Sequence, residues 1–282
     1  MIVQLASGDS ACSLLPLAGG SIGSWRVAGQ NMLRAATSQS DPLQAASFPL
    51  VPYSNRIANG RFEWNGRQIG LAQHPIAKPH SIHGVGWLRA WDVFESGADF
   101  AVLRFTHDGD ANWPWPFLAE QRFKLGPDNL SVDLTAQNLA DEAVPLSFGH
   151  HPYFDSAGAS LRFAASRICM NDDDNLPERE QGIEDTHSFA EGLAIGGQPF
   201  DNMFTGWNGA AEIVWADRKN GVRLESDLSH AQLYVPLGQT FFCFEPVAHR
   251  TNALNSEQSD MPVIAPGETF AANIRFAAFQ TV

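Results

Sequence analysis

Short segments of alternating polar and apolar residues, separated by turn residues, constrain the fold of this chain most strongly. Residues 131–137 read Ser-Val-Asp-Leu-Thr-Ala-Gln, an alternation typical of a half-buried strand. Residues 271–276 follow the same pattern less regularly. The pair Asn65-Gly66 separates residues 61–64 from residues 67–69, which is the signal of a two-residue hairpin turn. The pattern predicts antiparallel strands.

Turn residues recur along the whole chain. Residues 96–99 and 127–129 separate strand-like segments, and we read Asn220-Gly221 as a further hairpin signal before residues 222–224. The 24 glycines and 17 prolines interrupt the chain too often for a helical bundle. We therefore predict an all-β fold, a large antiparallel β-sandwich of two sheets packed face to face, with a closed barrel as the alternative.

The size and composition of the chain suit one globular unit. With 282 residues and 44% hydrophobic residues, it can bury a large core without disulfides or metal. Because no low-complexity or charged linker interrupts it, we expect a single domain over residues 1–282. The three cysteines, Cys12, Cys169 and Cys243, are odd in number and scattered, so we expect reduced, buried thiols and no zinc site of the Cys-x-x-Cys type.

The charge balance narrows the range of partners. A net charge of −13 argues against nucleic-acid binding, which needs a basic face. No segment is apolar enough to cross a bilayer and the first residues do not resemble a signal peptide, so we expect a cytoplasmic protein with no membrane partner. The shortage of basic residues also weighs against phosphorylated substrates, with Arg56, Arg61, Lys78 and Arg89 as the exceptions to consider.

Two aromatic-rich segments each carry a titratable side chain followed by a proline. Residues 148–154 read Phe-Gly-His-His-Pro-Tyr-Phe, and residues 242–246 read Phe-Cys-Phe-Glu-Pro. A charge is costly to bury in such surroundings, and a histidine and a partly desolvated glutamate can exchange protons near neutral pH. We predict that His151 and Glu245 form an acid/base pair. In extended chain His150 points to the opposite face, so we expect it to pack behind His151 or to border the site.

Three other segments combine polar side chains with aromatic neighbours: residues 53–57, 80–87 and 200–204. Aromatic faces pack on the C–H surface of a sugar while amides, carboxylates, arginine and histidine bond its hydroxyls, so the mixture suits a carbohydrate. The alternative is an ordinary sandwich core in which the tryptophans are packing residues. Residues 113–117, Trp-Pro-Trp-Pro-Phe, either line a cleft or cap a sheet.

Taken in chain order, the five segments resemble those of the aldose 1-epimerase family, also called galactose mutarotases, and the resemblance runs from about residue 19 to residue 276. The resemblance implies a galactose mutarotase-like supersandwich. It also implies that His151 is the general acid that protonates the sugar ring oxygen and that Glu245 is the general base on the C1 hydroxyl. Where many family members have His-Gly-Gly, this chain has a valine after His83-Gly84, so galactose is not implied as the preferred sugar.

The resemblance further implies that Arg56, His83 and Asp201 bind sugar hydroxyls or steady the ring oxygen, with Asn55 as an additional binding residue. Interconversion of anomers needs one acid and one base, and the chain has no dinucleotide, phosphate-loop or zinc-protease motif, so no cofactor and no metal are expected.

The predicted function is therefore an aldose 1-epimerase, or mutarotase, with a small-molecule sugar as its partner. The sequence leaves the oligomeric state open. Three alternatives remain: a hexose-6-phosphate 1-epimerase, a non-catalytic carbohydrate-binding protein, and a glycoside hydrolase in which Asp201 and Glu245 would be the two carboxylates.

Overall fold

The computed structural model describes residues 1–184 and 187–281, and strands dominate it. The first strands are β1 (Val3–Ser7), β2 (Ser10–Leu15), β3 (Ser21–Val27), β4 (Gln30–Asn31), β5 (Pro49–Leu50), β6 (Arg56–Ile57), β7 (Arg61–Trp64), β8 (Arg67–Gly70) and β9 (Ser81–Ile82). There follow β10 (Asp92–Ser96), β11 (Phe100–His107), β12 (Phe117–Leu125), β13 (Asn129–Asn138), β14 (Val144–Pro145), β15 (Gly149–His150), β16 (Tyr153–Asp155), β17 (Ala159–Phe163) and β18 (Arg167–Asn171). The last are β19 (Pro177–Gly182), β20 (Leu193–Ala194), β21 (Phe200–Thr205), β22 (Ala210–Trp215), β23 (Asn220–Ser226), β24 (His230–Val235), β25 (Phe241–Val247), β26 (Val263–Ile264) and β27 (Thr269–Gln280). Short 3₁₀ turns occupy Pro42–Gln44, Ala58–Gly60, Pro75–Ala77, Gly86–Leu88 and Ala253–Asn255.

Two large antiparallel sheets organise the chain. The nine-stranded sheet has the order β10-β11-β12-β13-β27-β23-β22-β17-β20. The eight-stranded sheet has the order β19-β18-β21-β24-β25-β15-β5, with β16 paired to β25 beside this path. A four-stranded sheet of β1 to β4 and three two-stranded sheets complete the described part of the chain.

The two large sheets pack face to face through aromatic side chains. Phe163 of β17 lies 4.9 Å from Phe204 of β21 and 4.8 Å from Phe244 of β25, measured between ring centroids. Phe154 of β16 likewise meets Trp215 of β22. This core confirms the predicted all-β class and the large antiparallel β-sandwich.

Most local predictions match the strands. The alternating residues 131–137 lie in β13 and residues 271–276 lie in β27, while Asn65-Gly66 is the turn of the β7–β8 hairpin. The reading of Asn220-Gly221 as a turn is wrong, because both residues are already in β23 and the turn lies at residues 216–219. A Cβ at Gly221 would lie 2.7 Å from the carbonyl oxygen of Ile213 and closer still to the ring of Phe279, so glycine allows close strand approach there.

Alternation along β25 separates the core from the outer face of its sheet. Phe242 and Phe244 point into the sandwich, where they contact Phe154 and Phe163. Cys243 and Glu245, at the intervening positions, point to the opposite face because successive side chains of a strand alternate. That outer face carries a second, smaller apolar cluster, which includes Phe48 and Cys243.

The three cysteines are free and buried. Across residues 1–184 and 187–281, the structure contains no helix with the length and apolar character needed to span a membrane.

Candidate active site

A cleft of about 920 Å³ opens on the outer face of the eight-stranded sheet. Strands β21, β24 and β25 form its floor, and the segments around residues 34–44, 55–56 and 82–83 form its walls. The site residues predicted from the sequence all line this cleft: Asn55, Arg56, His83, His151, Asp201 and Glu245. Long-range strand pairing thus gathers residues from five separate segments of the chain.

His151 and Glu245 lie side by side at the floor of the cleft. Glu245 belongs to β25, and His151 follows β15, which pairs with β25 through Gly149 and Val247. The Nε2 atom of His151 is 3.2 Å from the Oε1 atom of Glu245. Only 6% of His151 and 2% of Glu245 is exposed. This distance allows a proton to pass directly between the two side chains.

Burial moves the pKa values of the pair in opposite directions. Desolvation lowers the pKa of His151 to about 3. Desolvation, reinforced by the charge of Asp201 and opposed by Arg56, raises the pKa of Glu245 well above its usual range. Because burial penalises both a doubly protonated and a fully deprotonated pair, the stable state carries one proton shared between the two groups.

Aromatic rings hold the imidazole of His151 in place. The ring of Phe48 stacks on it with centroids 4.5 Å apart and planes 19° apart. Trp87 stacks in turn on Phe48 at 5.4 Å, and Tyr153 lies 4.7 Å from His151. These contacts leave the imidazole little freedom to rotate away from Glu245.

Asn55 and His83 are joined by reciprocal hydrogen bonds. The Asn55 N–H donates to Nδ1 of His83 at 3.1 Å, and the His83 N–H donates to the Asn55 carbonyl oxygen at 3.0 Å. Since Nδ1 accepts, the proton of the neutral ring lies on Nε2. Burial, reinforced by His151 and Arg56, lowers the pKa of His83 well below its usual range, so the ring stays neutral.

Both residues adopt left-handed backbone conformations, with φ of 56° at Asn55 and 61° at His83. Such conformations carry strain in residues other than glycine and cluster at functional sites. The following Gly84 is also left-handed, at φ 68°, and a Cβ there would lie 2.3 Å from the carbonyl oxygen of Val51. This close approach explains why glycine follows His83 in the sequence.

Asp201 connects two further side chains at the cleft floor. Its Oδ2 atom is 3.5 Å from Nη1 of Arg56, and its Oδ1 atom accepts a 2.7 Å hydrogen bond from Nε2 of Gln232. Burial raises the pKa of Asp201, while Arg56 and Gln232 oppose the rise. Oδ1 of Asn55 accepts from Nη1 of Arg56 at 3.3 Å, which holds the guanidinium between the two residues.

Gln232 is a cleft residue that the sequence motifs did not reveal. It pairs in register with Glu245 on the neighbouring strand, so the two side chains share one face of the sheet. Its amide donates to Asp201, and its Oε1 atom is buried without a hydrogen-bond partner in the described part of the chain. The alternation of side chains along β24 could have indicated this position, because it also places Tyr234 in the cleft.

His150 lies behind the cleft, between the two large sheets. Gln121 of β12 donates its amide to the carbonyl oxygen of Gly20, so its Oε1 atom accepts from Nε2 of His150, 2.9 Å away. Nδ1 of His150 therefore accepts from the hydroxyl of Ser47. The side chain is fully buried, and desolvation lowers its pKa to about 3. Of the two positions predicted for His150, it takes the one packed behind His151.

The aromatic segment at residues 113–117 belongs to the core. Trp113 contacts Tyr53 and Phe62 at 5.4 Å and 5.9 Å between ring centroids, and Trp115 packs beside it. The alternative in which this segment lines the cleft is therefore wrong, because its tryptophan rings pack in the core and do not reach the cleft. The tryptophans considered as packing residues, Trp87 and Trp207 included, are buried.

The fold places this chain in the galactose mutarotase-like class of antiparallel sandwich proteins. The family model of the aldose 1-epimerases matches residues 1–277, and the chain belongs to that family.

Its relatives include proteins of known and unknown activity. The chain is 28% identical over 250 residues to the uncharacterized protein YphB of Escherichia coli, covering 84% of this chain and 85% of that protein. It is 31% identical over 138 residues to the aldose 1-epimerase of Haemophilus influenzae, covering 46% of this chain and 39% of that protein. A crystal structure from Escherichia coli K12, described as that of a proposed aldose 1-epimerase, superposes with a TM-score of 0.93 at 26% identity, covering 99% of both chains.

Proposed function

We propose that this protein is an aldose 1-epimerase that interconverts the α and β anomers of a free aldose. The observation that carries the proposal is the 3.2 Å approach of His151 to Glu245 at the floor of a polar cleft. Family membership supports the same reaction class. The six residues to which the resemblance assigns roles all line this cleft.

In the proposed reaction, the single proton of the pair first passes from Glu245 to His151, so that His151 carries it when the ring opens. Glu245 accepts the proton of the C1 hydroxyl while His151 donates its proton to the ring oxygen. The bond between C1 and the ring oxygen breaks, and C1 becomes a carbonyl carbon. After rotation about C1–C2, the ring oxygen attacks the other face of C1 and both protons return. The pair ends each cycle with the single proton with which it began.

The polar groups around the pair suit the hydroxyls of a sugar. His83 has its proton on Nε2, and Arg56 supplies further donors, so both can bond hydroxyl oxygens or the ring oxygen. Asp201 and the free Oε1 atom of Gln232 supply acceptors for hydroxyl protons. Asn55 holds Arg56 and lines the cleft beside it. A binding role for each of these residues is part of the proposal.

The charges of the cleft favour a neutral sugar over a hexose 6-phosphate. Within the described part of the chain, arginines line the cleft at two positions, Arg34 and Arg56, and both are engaged. Nη2 of Arg34 donates to the carbonyl oxygens of Leu43 and Ala45, and its guanidinium lies 3.7 Å above the ring of Tyr153. Arg56 faces Asp201. Phosphate recognition normally uses basic groups that are free for the anion.

Polarimetry tests the proposal directly. Freshly dissolved α-D-glucose, α-D-galactose and L-arabinose would each be followed with and without the protein, in a buffer that catalyses mutarotation poorly. We expect a faster approach to the same final rotation for at least one sugar. Acceleration only with α-D-glucose 6-phosphate would replace the free-sugar proposal with the phosphosugar enzyme. Sugar binding without acceleration would identify a carbohydrate-binding protein, and release of nitrophenol from a nitrophenyl glycoside would identify a hydrolase.

A further inference from the structure

A buried thiol lies directly beside the His151–Glu245 pair. Cys243 is two residues before Glu245 in β25, so the two side chains point to the same face of the sheet. The Sγ atom of Cys243, a ring nitrogen of His151 and a carboxylate oxygen of Glu245 all lie within 4.8 Å of one another. The Cys243 thiol is free of any disulfide, and the buried Nδ1 atom of His151 has no hydrogen-bond partner in the described part of the chain.

These three side chains form a donor set for a thiophilic metal ion. Zinc binds thiolate sulfur, imidazole nitrogen and carboxylate oxygen at roughly 2.0–2.3 Å, so ligands of one tetrahedral ion lie roughly 3.3–3.8 Å apart. The three donors are close enough to reach this spacing through small side-chain rotations. A thiolate ligand favours zinc-like ions over magnesium and calcium, which take oxygen ligands.

The surroundings leave one coordination position open. His151 and Glu245 line the cleft, whereas Cys243 lies in the apolar cluster beneath them. An ion bound by all three would therefore have its fourth position toward the cleft, where water or a sugar hydroxyl could occupy it. No metal motif marks this site in the sequence, because two ligands come from β25 and the third comes from the segment after β15.

We propose that His151, Cys243 and Glu245 form an inhibitory binding site for a thiophilic divalent cation such as Zn²⁺ or Cd²⁺. On binding, the ion forms bonds to sulfur, nitrogen and oxygen, and the thiol proton and the proton shared by the pair are released to solvent. The ion occupies the lone pairs through which His151 and Glu245 would move protons. The inhibition rests on the proposed epimerase function, whereas the metal site itself does not.

Cobalt is the probe that separates the two claims, because a Co²⁺–thiolate bond has a charge-transfer absorption in the near ultraviolet. The intact protein, Cys243→Ser, Cys243→Ala and Cys169→Ser would each be titrated with Co²⁺ and then with Zn²⁺. Cys169 is the matched control, since it is also buried in the cluster beneath the cleft but is not one of the three donors. Near-ultraviolet circular dichroism would establish that each variant is folded.

We expect the absorption in the intact protein and in Cys169→Ser, its loss on adding Zn²⁺, and its absence from both Cys243 variants. Mutarotation by the intact protein should be inhibited by Zn²⁺ and restored by a chelator. Loss of an outer partner already weakens metal binding 10- to 100-fold, so loss of the thiolate should raise the half-inhibiting Zn²⁺ concentration by about 100-fold.

Absence of the absorption in the intact protein, or its persistence in a folded Cys243 variant, would overturn the site. If the absorption appears as expected but no sugar is epimerised with or without metal, the site stands and the proposed function fails. If Zn²⁺ binds through Cys243 and mutarotation continues unchanged, the inhibitory role is wrong.

Discussion

Replacement of His150 and replacement of its neighbour His151 should have different effects on the protein. His150 is held between the sheets by Ser47 and Gln121, whereas His151 faces the cleft beside Glu245. The change His150→Gln keeps an amide N–H that can donate to Gln121 but removes the titratable ring. We expect it to leave mutarotation nearly unchanged and to alter stability. The change His151→Asn should lower kcat by about 10²- to 10⁴-fold, the usual contribution of a general acid or base.

The magnitude of the stability effect follows from the pKa of His150. Burial lowers this pKa from 6.5 to about 3, so the unfolded chain takes up the proton first as the pH falls. The contribution of His150 is therefore fully present above pH 6.5 and is lost as the pH falls toward 3. The slope is about 1.4 kcal/mol per pH unit below the unfolded pKa, which gives a loss of about 2–3 kcal/mol between neutral pH and about pH 4.5.

Urea unfolding of the intact protein and of His150→Gln, followed by tryptophan fluorescence, measures this loss. Near neutral pH the variant should be less stable by about 1–3 kcal/mol, because the hydroxyl of Ser47 loses its buried acceptor. By about pH 4.5 the difference between the two proteins should shift by about 2–3 kcal/mol in favour of the variant. A difference that is the same at both pH values would refute the neutral, buried state of His150. Equal loss of turnover in His150→Gln and His151→Asn would refute the separation of their roles.

Three further outcomes follow from the same geometry. Glu245→Gln should lower kcat by about 10²- to 10⁴-fold while sugar affinity in calorimetry changes little, and near-normal turnover would contradict its role as the base. The pH profile of kcat/KM should be bell-shaped, because activity needs one proton on the pair. The acid side reflects protonation of His151, whose pKa is lowered to about 3, and the alkaline side reflects loss of the last proton from Glu245, whose pKa is raised. A profile with no alkaline decline would contradict this single-proton state. His249 accepts the Ser54 N–H at 3.1 Å and so holds the segment that carries Asn55 and Arg56, the proposed sugar-binding residues. The factor by which His249→Phe raises KM should exceed the factor by which it lowers kcat by about tenfold, whereas an unchanged KM would exclude a positioning role.

Much of the architecture could be predicted from local patterns. Alternation and hairpin turns indicated the antiparallel sheets because both depend on residues close in sequence. The Asn220-Gly221 turn was misplaced because a glycine at a close strand approach resembles a turn glycine when only the sequence is known. The predicted site residues meet in one cleft, but the resemblance to a family, rather than spacing, indicated which of them belong together.

The remaining features of the cleft depend on register. Gln232 has no motif around it, and its place opposite Glu245 follows from the pairing of β24 with β25, which a single sequence does not reveal. The nearness of Cys243 to His151 has the same origin, because it depends on how two distant segments align. Arg34, another cleft residue that the motifs missed, lies in the segment between β4 and β5.

The alternation along β25 also bears on how such a protein can diversify. Gln232 and Tyr234, which pair with Glu245 and Cys243 of β25, face the cleft and point away from the aromatic core between the sheets. Substitutions at these positions can therefore change the preferred ligand while the burial of Phe242 and Phe244, which stabilises the fold on the other face, is preserved. A one-residue insertion within the strand would exchange the two faces and lose both properties at once. New specificities in this architecture should therefore arise by replacement within strands, and changes in length should be confined to the loops.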